Sequence, residues 1–171
     1  VTGRPKVVLF SIEKELENKK TNSSRLFADH GIPENPEDDL LSQVIAFGKM
    51  QSVFIEILSE ENKKEKKTII SHFHEWMAAI PILDIRKKGL AVRTVFTTHA
   101  TILGRYLAMN DPMFYENLNT YNWKDRAKHF GIEPLVAIER ECAKEVDSFT
   151  TVNEVTGREC ATLLGKQPDH I

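Results

Sequence analysis

Two cysteines in a chain of 171 residues are too few for a disulfide framework. Cys142 and Cys160 each fall in a helical pattern, where a buried thiol is the ordinary outcome, and their scarcity points to a reducing compartment. An excess of one charge is missing as well. With 23 Lys and Arg against 25 Asp and Glu, the net charge of −2 provides no dominant basic face, so nucleic acid is not an expected partner. No apolar run approaches membrane-spanning length, so no membrane partner is expected, and Val1-Thr2-Gly3-Arg4 carries neither an initiating methionine nor a signal core. A piece that starts and stops inside a longer protein is the expectation. G-x-G-x-x-G, a Walker loop and internal repeats are all lacking, which removes support for dinucleotide and P-loop chemistry. What is present, 41% apolar and 28% charged residues, suits one domain with a real core.

Hydrophobic patterning alternates between the two regular periods. Lys6 to Ile12 reads as a buried strand, Glu13 to Ser24 as a polar loop, and Arg25 to His30 as a helical turn stopped by Gly31. Asn35-Pro36-Glu37-Asp38-Asp39 opens the longest helix, with Asn35 as cap and Pro36 in the first position. Its apolar residues from Leu41 to Leu58 predict burial on a broad face, and the mixed charges of Glu60 to Lys67 a solvated end. Thr68 to Phe73 is the next strand. A helix then runs from His74-Glu75-Trp76 to Lys88, kinked near Met77 by Pro81, and stops at Gly89. Ala91 to Thr98 is a strand, and Thr101 to Met109 a helix. The aromatic residues Phe114, Tyr115, Tyr121 and Trp123 are read as packing of a long connection over the core rather than as a platform for sugars. Asn122 caps a helix closed by Gly131. Another begins at Pro134 with Leu135, Ile138, Cys142 and Val146 inward; Ser148 to Val152 is a last strand, and Asn153 caps a final helix. The alternation predicts an α/β fold, a mostly parallel sheet with helices on both faces, Rossmann-like in the broad sense.

The chemistry gathers where two strands end. In an open α/β sheet the loops at the carboxyl ends of strands line the ligand crevice, and the following helix offers N–H groups and a positive dipole end. The run Val95 to Arg105 places His99 in such a loop and Arg105 in the first turns of the next helix, which suits an anionic or polyhydroxylated ligand. Glu75 ends the preceding strand and shares that crevice, although a carboxylate at a helix start also serves as a plain cap. His99 by itself is equally a satisfied loop histidine, and Arg105 is more often a surface ion-pair residue than a phosphate ligand. His72 and His74 are expected to point to opposite faces of their strand, which argues against a shared metal. Thr150 and Thr151 either face the crevice or edge the sheet.

The segments HFHEW (His72 to Trp76) and FTTHATILGRYL (Phe96 to Leu107), with Glu75 and His99 twenty-four positions apart, closely resemble the glycogen synthases of the eukaryotic, UDP-glucose type. A looser likeness runs through GRPKVVLF and FTTVNEVTGRECATLLGKQPD, so it covers the whole chain. The resemblance implies one domain of a two-domain (GT-B type) retaining glycosyltransferase, with the active cleft between two Rossmann-like domains. It implies transfer of glucose from UDP-glucose to the non-reducing end of an α-1,4-glucan such as glycogen, by a cytoplasmic homo-oligomer that needs no metal and no cofactor. Carried onto this sequence, His99 contacts the transferred sugar near its 6-hydroxyl, Arg105 helps to hold the donor diphosphate, and Glu75 acts on the acceptor side. His74 and Thr98 are further substrate- or donor-binding candidates. The glycine-rich first loop and the donor domain with its catalytic carboxylate have no counterpart in residues 1–171, so the chain is expected to be a partial amino-terminal, acceptor-side domain, inactive alone. Rival readings are a starch synthase-like transferase using ADP-glucose, a stand-alone glucan-binding domain, and a metallohydrolase built on His72, His74 and His99.

Overall fold

The computed structural model describes residues 3–65 and 67–171. Three parallel strands, β1 (Ile69–His74), β2 (Val92–Thr98) and β3 (Ser148–Thr151), lie side by side in chain order. Parallel neighbours need long crossovers, and helices supply them. Ahead of the sheet come α1 (Glu13–Glu17), α2 (Lys19–His30) and α3 (Asp39–Glu65). Between β1 and β2 run α4 (Trp76–Ala79) and α5 (Pro81–Lys88); between β2 and β3 run α6 (Ile102–Asn110), α7 (Phe114–Asn117), a 3-10 turn, α8 (Trp123–Phe130) and α9 (Glu133–Glu145); α10 (Glu154–Leu163) follows β3. The α/β class with a parallel sheet is thus observed.

Register decides what each face carries. Phe73 pairs with Phe96 and Phe96 with Phe149, so one face of the sheet is a row of buried rings, with α4 packed on β1 and α9 packed on α4. The other face carries Ile70, His72 and His74 of β1 in exposed positions, next to Thr97 and Thr150. Leu135, Ile138, Cys142 and Val146 are all buried, as the helical spacing predicts, and so is Cys160. Phe114 and Tyr121 stack with centroids 6.1 Å apart, and Trp123 lies under the Arg140 guanidinium at 3.8 Å, so these rings pack the connection as expected.

Several local expectations are corrected. Lys6 to Ile12 forms no strand, and Val7 and Leu9 are 75% and 89% exposed, because β-propensity yields a strand only where a neighbour accepts its backbone groups. Phe10 docks edge-on to Phe47 and Phe54 of α3. Glu13 to Ser24 is helical rather than loop, since Glu, Lys and Leu are good helix formers and its buried polar face hides the usual apolar stripe; Asn22 donates to the Glu15 carboxylate at 3.2 Å. The long helix starts three residues later than expected. Asn35 to Asp38 is a turn, and the Asp38 carboxylate caps the Leu41 N–H at 2.9 Å. Pro81 does not kink one helix but opens a second, taking a position where its missing N–H costs nothing.

α3 also corrects the statement that nothing approaches membrane-spanning length: Asp39–Lys63 passes by length and apolarity. Leu41, Val44, Ile45 and Ile55 are nevertheless buried in the core, and Gly48 lets the helix close on Ile80, where a Cβ would meet the Ile80 Cβ at 2.7 Å. The Glu60 to Lys67 run is helical through Glu65; Lys66 and the opening Val1-Thr2 lie outside the described residues.

Candidate functional site

The carboxyl ends of β1 and β2 open onto one mouth, as parallel register requires. His74 pairs with Thr97, and the Glu75 N–H continues the ladder to the Thr97 carbonyl at 2.9 Å before the chain leaves the sheet. Glu75 does so at φ +65° and ψ 157°, a region that side-chain-bearing residues rarely enter, and it is the positive-φ non-glycine among the described residues. That geometry turns its side chain toward the next loop. Glu75 Oε1 accepts the His99 backbone N–H at 3.1 Å and the Arg105 Nη2 at 3.4 Å. The two motifs therefore meet at one carboxylate oxygen.

His99 is exposed, with its ring 6.0 Å from that of His74, and the Arg105 side chain is about half exposed. Glu75, His74, His99 and Arg105 are thus brought together at the mouth. Thr98 is not. It is fully buried, its hydroxyl donates inward to the Ala100 carbonyl at 3.2 Å and reaches Glu139 Oε1 at 3.4 Å, because alternation along β2 turns it to the opposite face from Thr97. The Thr98 hydroxyl therefore faces the interior and not the mouth.

His72 and His74 share a face rather than facing apart. Their rings lie 4.3 Å from each other, since a spacing of two residues is one full period of a strand. A polar ladder crosses the sheet from there: His72 Nε2 lies 2.7 Å from Thr97 Oγ1, and Thr97 Oγ1 lies 2.6 Å from Thr150 Oγ1. Desolvation, then the neighbouring His74, holds His72 below the ordinary histidine range. Among the described residues no group of three His, Cys, Asp or Glu side chains is arranged to hold one metal ion.

The start of α6 corrects the expectation of free N–H groups there. Thr101 caps the helix by accepting the Gly104 N–H at 2.9 Å, the Ile102 N–H goes to Glu139 Oε2 at 2.9 Å, and the Thr101 N–H goes to Glu159 Oε1 at 2.7 Å. Positive potential for an anion at this mouth therefore comes from Arg105 rather than from these amides. Glu139 and Glu159 were not singled out in the sequence. The available signal was a glutamate beside Ile138 and Cys142 on the inner face of an amphipathic helix, where a carboxylate needs a partner.

The family model described as Glycogen synthase matches residues 1–171. All of the chain aligns with the glycogen (starch) synthase of Neurospora crassa at 34% identity and with isoform 1 of Saccharomyces cerevisiae at 38%, covering 24% of each. The corresponding enzyme of Dictyostelium discoideum is 34% identical over the same span, 19% of its length. The chain spans about a quarter of the length of the curated relatives it matches.

Proposed function

The chain belongs to the glycogen synthase family, and from that premise we propose that it is the acceptor-side, amino-terminal part of an enzyme that moves glucose from UDP-glucose to the non-reducing end of an α-1,4-glucan with retention. In this reading His99 meets the transferred sugar, Arg105 the donor diphosphate and Glu75 the acceptor side, with His74 beside them. The whole enzyme is a cytoplasmic homo-oligomer whose second domain supplies the remaining cations and the catalytic carboxylate. The observation that carries the reading is the shared oxygen of Glu75, which lies 3.1 Å from the His99 nitrogen and 3.4 Å from Arg105.

Chemically the step concentrates negative charge on the leaving diphosphate as its bond to the anomeric carbon breaks, and cations aimed at that charge lower the barrier. The exposed Arg105 is suited to this. Its ion pair with Glu75 is long and partly solvated, so a phosphate replaces or shares it at small cost. In the full-length protein, His99→Ala and Arg105→Ala should each lower kcat about 100-fold while the melting temperature stays put, as expected for loss of one electrostatic contact in the transition state. Matched losses of melting temperature and rate would mean a structural role only. The 171-residue chain alone should transfer no glucose, and measurable turnover of UDP-glucose by it would overturn the domain assignment. Competition between UDP-glucose and ADP-glucose in the full-length protein decides the nucleotide.

A further inference from the structure

The loop that carries His99 is tied down from below by two acids of distant origin. Glu139 of α9 is 0% exposed and Glu159 of α10 is 2% exposed. Glu139 accepts the Ile102 N–H at 2.9 Å and touches the Thr98 hydroxyl at 3.4 Å. Glu159 Oε1 accepts both the Thr101 N–H at 2.7 Å and the Thr101 hydroxyl at 2.6 Å, while Thr156, one turn earlier on α10, donates its hydroxyl to the His99 carbonyl at 3.3 Å. Every residue from Thr98 to Ile102 except Ala100 is therefore gripped through an atom by α9 or α10. Gly104 completes the fit, since a Cβ there would stand 2.1 Å from Glu159 Oε1.

Capping a helix does not require this. A serine or asparagine satisfies such N–H groups at the surface, whereas burying a carboxyl group is unfavourable unless it is neutralised, paired or richly hydrogen-bonded. Arg105, whose charge reaches Glu159, makes its ion pair with Glu75 instead. A costly arrangement directed at the one loop bearing His99 and leading into Arg105 points to a role in the site. We propose that Glu139 and Glu159 are positioning residues, which clamp the loop from Thr98 to Ile102 so that His99 and Arg105 face Glu75. The inference rests on the reading of His99 and Arg105 as site residues.

The surroundings specify the form in which Glu139 works. It is enclosed by α9, facing Cys142, and by α10, facing Glu159 and Cys160, with Glu75 beyond the loop. Burial first, then the charges of Glu75 and Glu159, raise its pKa to about 8 against the opposing pull of the Ile102 N–H. With a pKa of about 8, Glu139 is held neutral at pH 7, and its Oε2 accepts from the Ile102 N–H. The Thr98 hydroxyl lies 3.4 Å from Oε1 and 3.2 Å from the Ala100 carbonyl, and donates to one or the other. Ionisation places a buried negative charge beside Glu159 and Glu75.

The test uses the full-length protein with Glu139→Gln, which keeps the neutral acceptor and donor, and Glu139→Ala, which keeps neither. Glu139→Gln should hold kcat within about threefold of wild type at pH 7, while Glu139→Ala should lose about tenfold or more in kcat with little change in KM, the mark of misdirected groups rather than lost binding. Wild type should lose rate as pH rises past about 8, and Glu139→Gln should lose it less steeply. The backbone amide resonance of His99 should move in Glu139→Ala and stay in Glu139→Gln. Equal rates for both variants, equal alkaline limbs in wild type and Glu139→Gln, or an unmoved His99 amide in Glu139→Ala would each overturn the proposal. The amide resonance reads the clamp without reference to glucose transfer, so a full-length protein that is indifferent to His99→Ala would sink the functional reading separately. If Glu139→Ala does not fold, the pH profile and His99 amide of Glu139→Gln still decide.

Discussion

Glu75 occupies a backbone conformation that costs on the order of 1–3 kcal/mol for a residue with a Cβ. Its surroundings hold it there: the N–H is fixed to Thr97, the side chain to His99 and Arg105. Glycine accepts such angles freely, so the usual order of alanine over glycine should invert at this position. We expect Glu75→Gly to be more stable than Glu75→Ala by about 1 kcal/mol in urea unfolding, both having lost the same carboxylate contacts. An alanine variant as stable as the glycine variant would show that no strain is stored. The presence of Glu75, His74, His99 and Arg105 at one mouth was legible because strand ends and helix starts are written locally, in HFHEW and FTTHATILGR. The inward turn of Thr98 was legible too in principle, from the period of two along β2.

At the level of elements, one acid ties the opposite, amino-terminal edge of the sheet together. Asp147, between α9 and β3, accepts the Thr94 N–H at 2.8 Å and the Thr94 hydroxyl at 3.1 Å, and pairs with Arg86 of α5 at 2.6 Å. Partial burial works against its charge, yet Arg86 and Thr94 outweigh that and hold its pKa at about 2. A depressed carboxylate contributes stability that is complete above its unfolded value of 3.8 and is lost as pH falls through about 2. Asp147→Asn should therefore cost on the order of 2 kcal/mol at pH 7, less any share screened by solvent. The gap to wild type should close as pH approaches 2, in denaturant titrations at each pH. A constant gap would assign the loss to shape rather than charge. From Asn35 onward the element types were legible and their boundaries less so, whereas ahead of it a strand and a loop were both misassigned. The cap at Asp38 and the break at Pro81 depend on which of two nearby polar or helix-starting residues the neighbouring packing selects.

Across the whole molecule, stability should have a pH slope set by its most deeply buried acid. Glu139 has a folded pKa of about 8 against 4.5 for a free side chain, so the folded state holds its proton more tightly than the unfolded chain does. That contribution is full below about 4.5 and fades as pH rises through about 8. Wild type should lose stability over this window relative to Glu139→Gln, as followed by melting temperature; parallel curves would remove the ionisation from the account. The two thiols offer a second global probe. Cys142 and Cys160 are 0% exposed, and burial followed by the Glu139 charge raises both. Ellman's reagent should label neither until the protein unfolds, and prompt labelling of the native chain would show that α9 and α10 open locally. The sequence by itself determined the alternation of strands and helices, the inner face of α9, the glycine stops and the meeting of two motifs at strand ends, because each is set by residues within a few positions of one another. Only the tertiary structure decided that Glu139 and Glu159 converge beneath the His99 loop, that Glu75 bends to join His99 with Arg105, and that the apolar run at Val7 to Leu9 forms no strand. Those outcomes depend on which distant atoms are on hand to accept a hydrogen bond, a quantity that no local pattern carries.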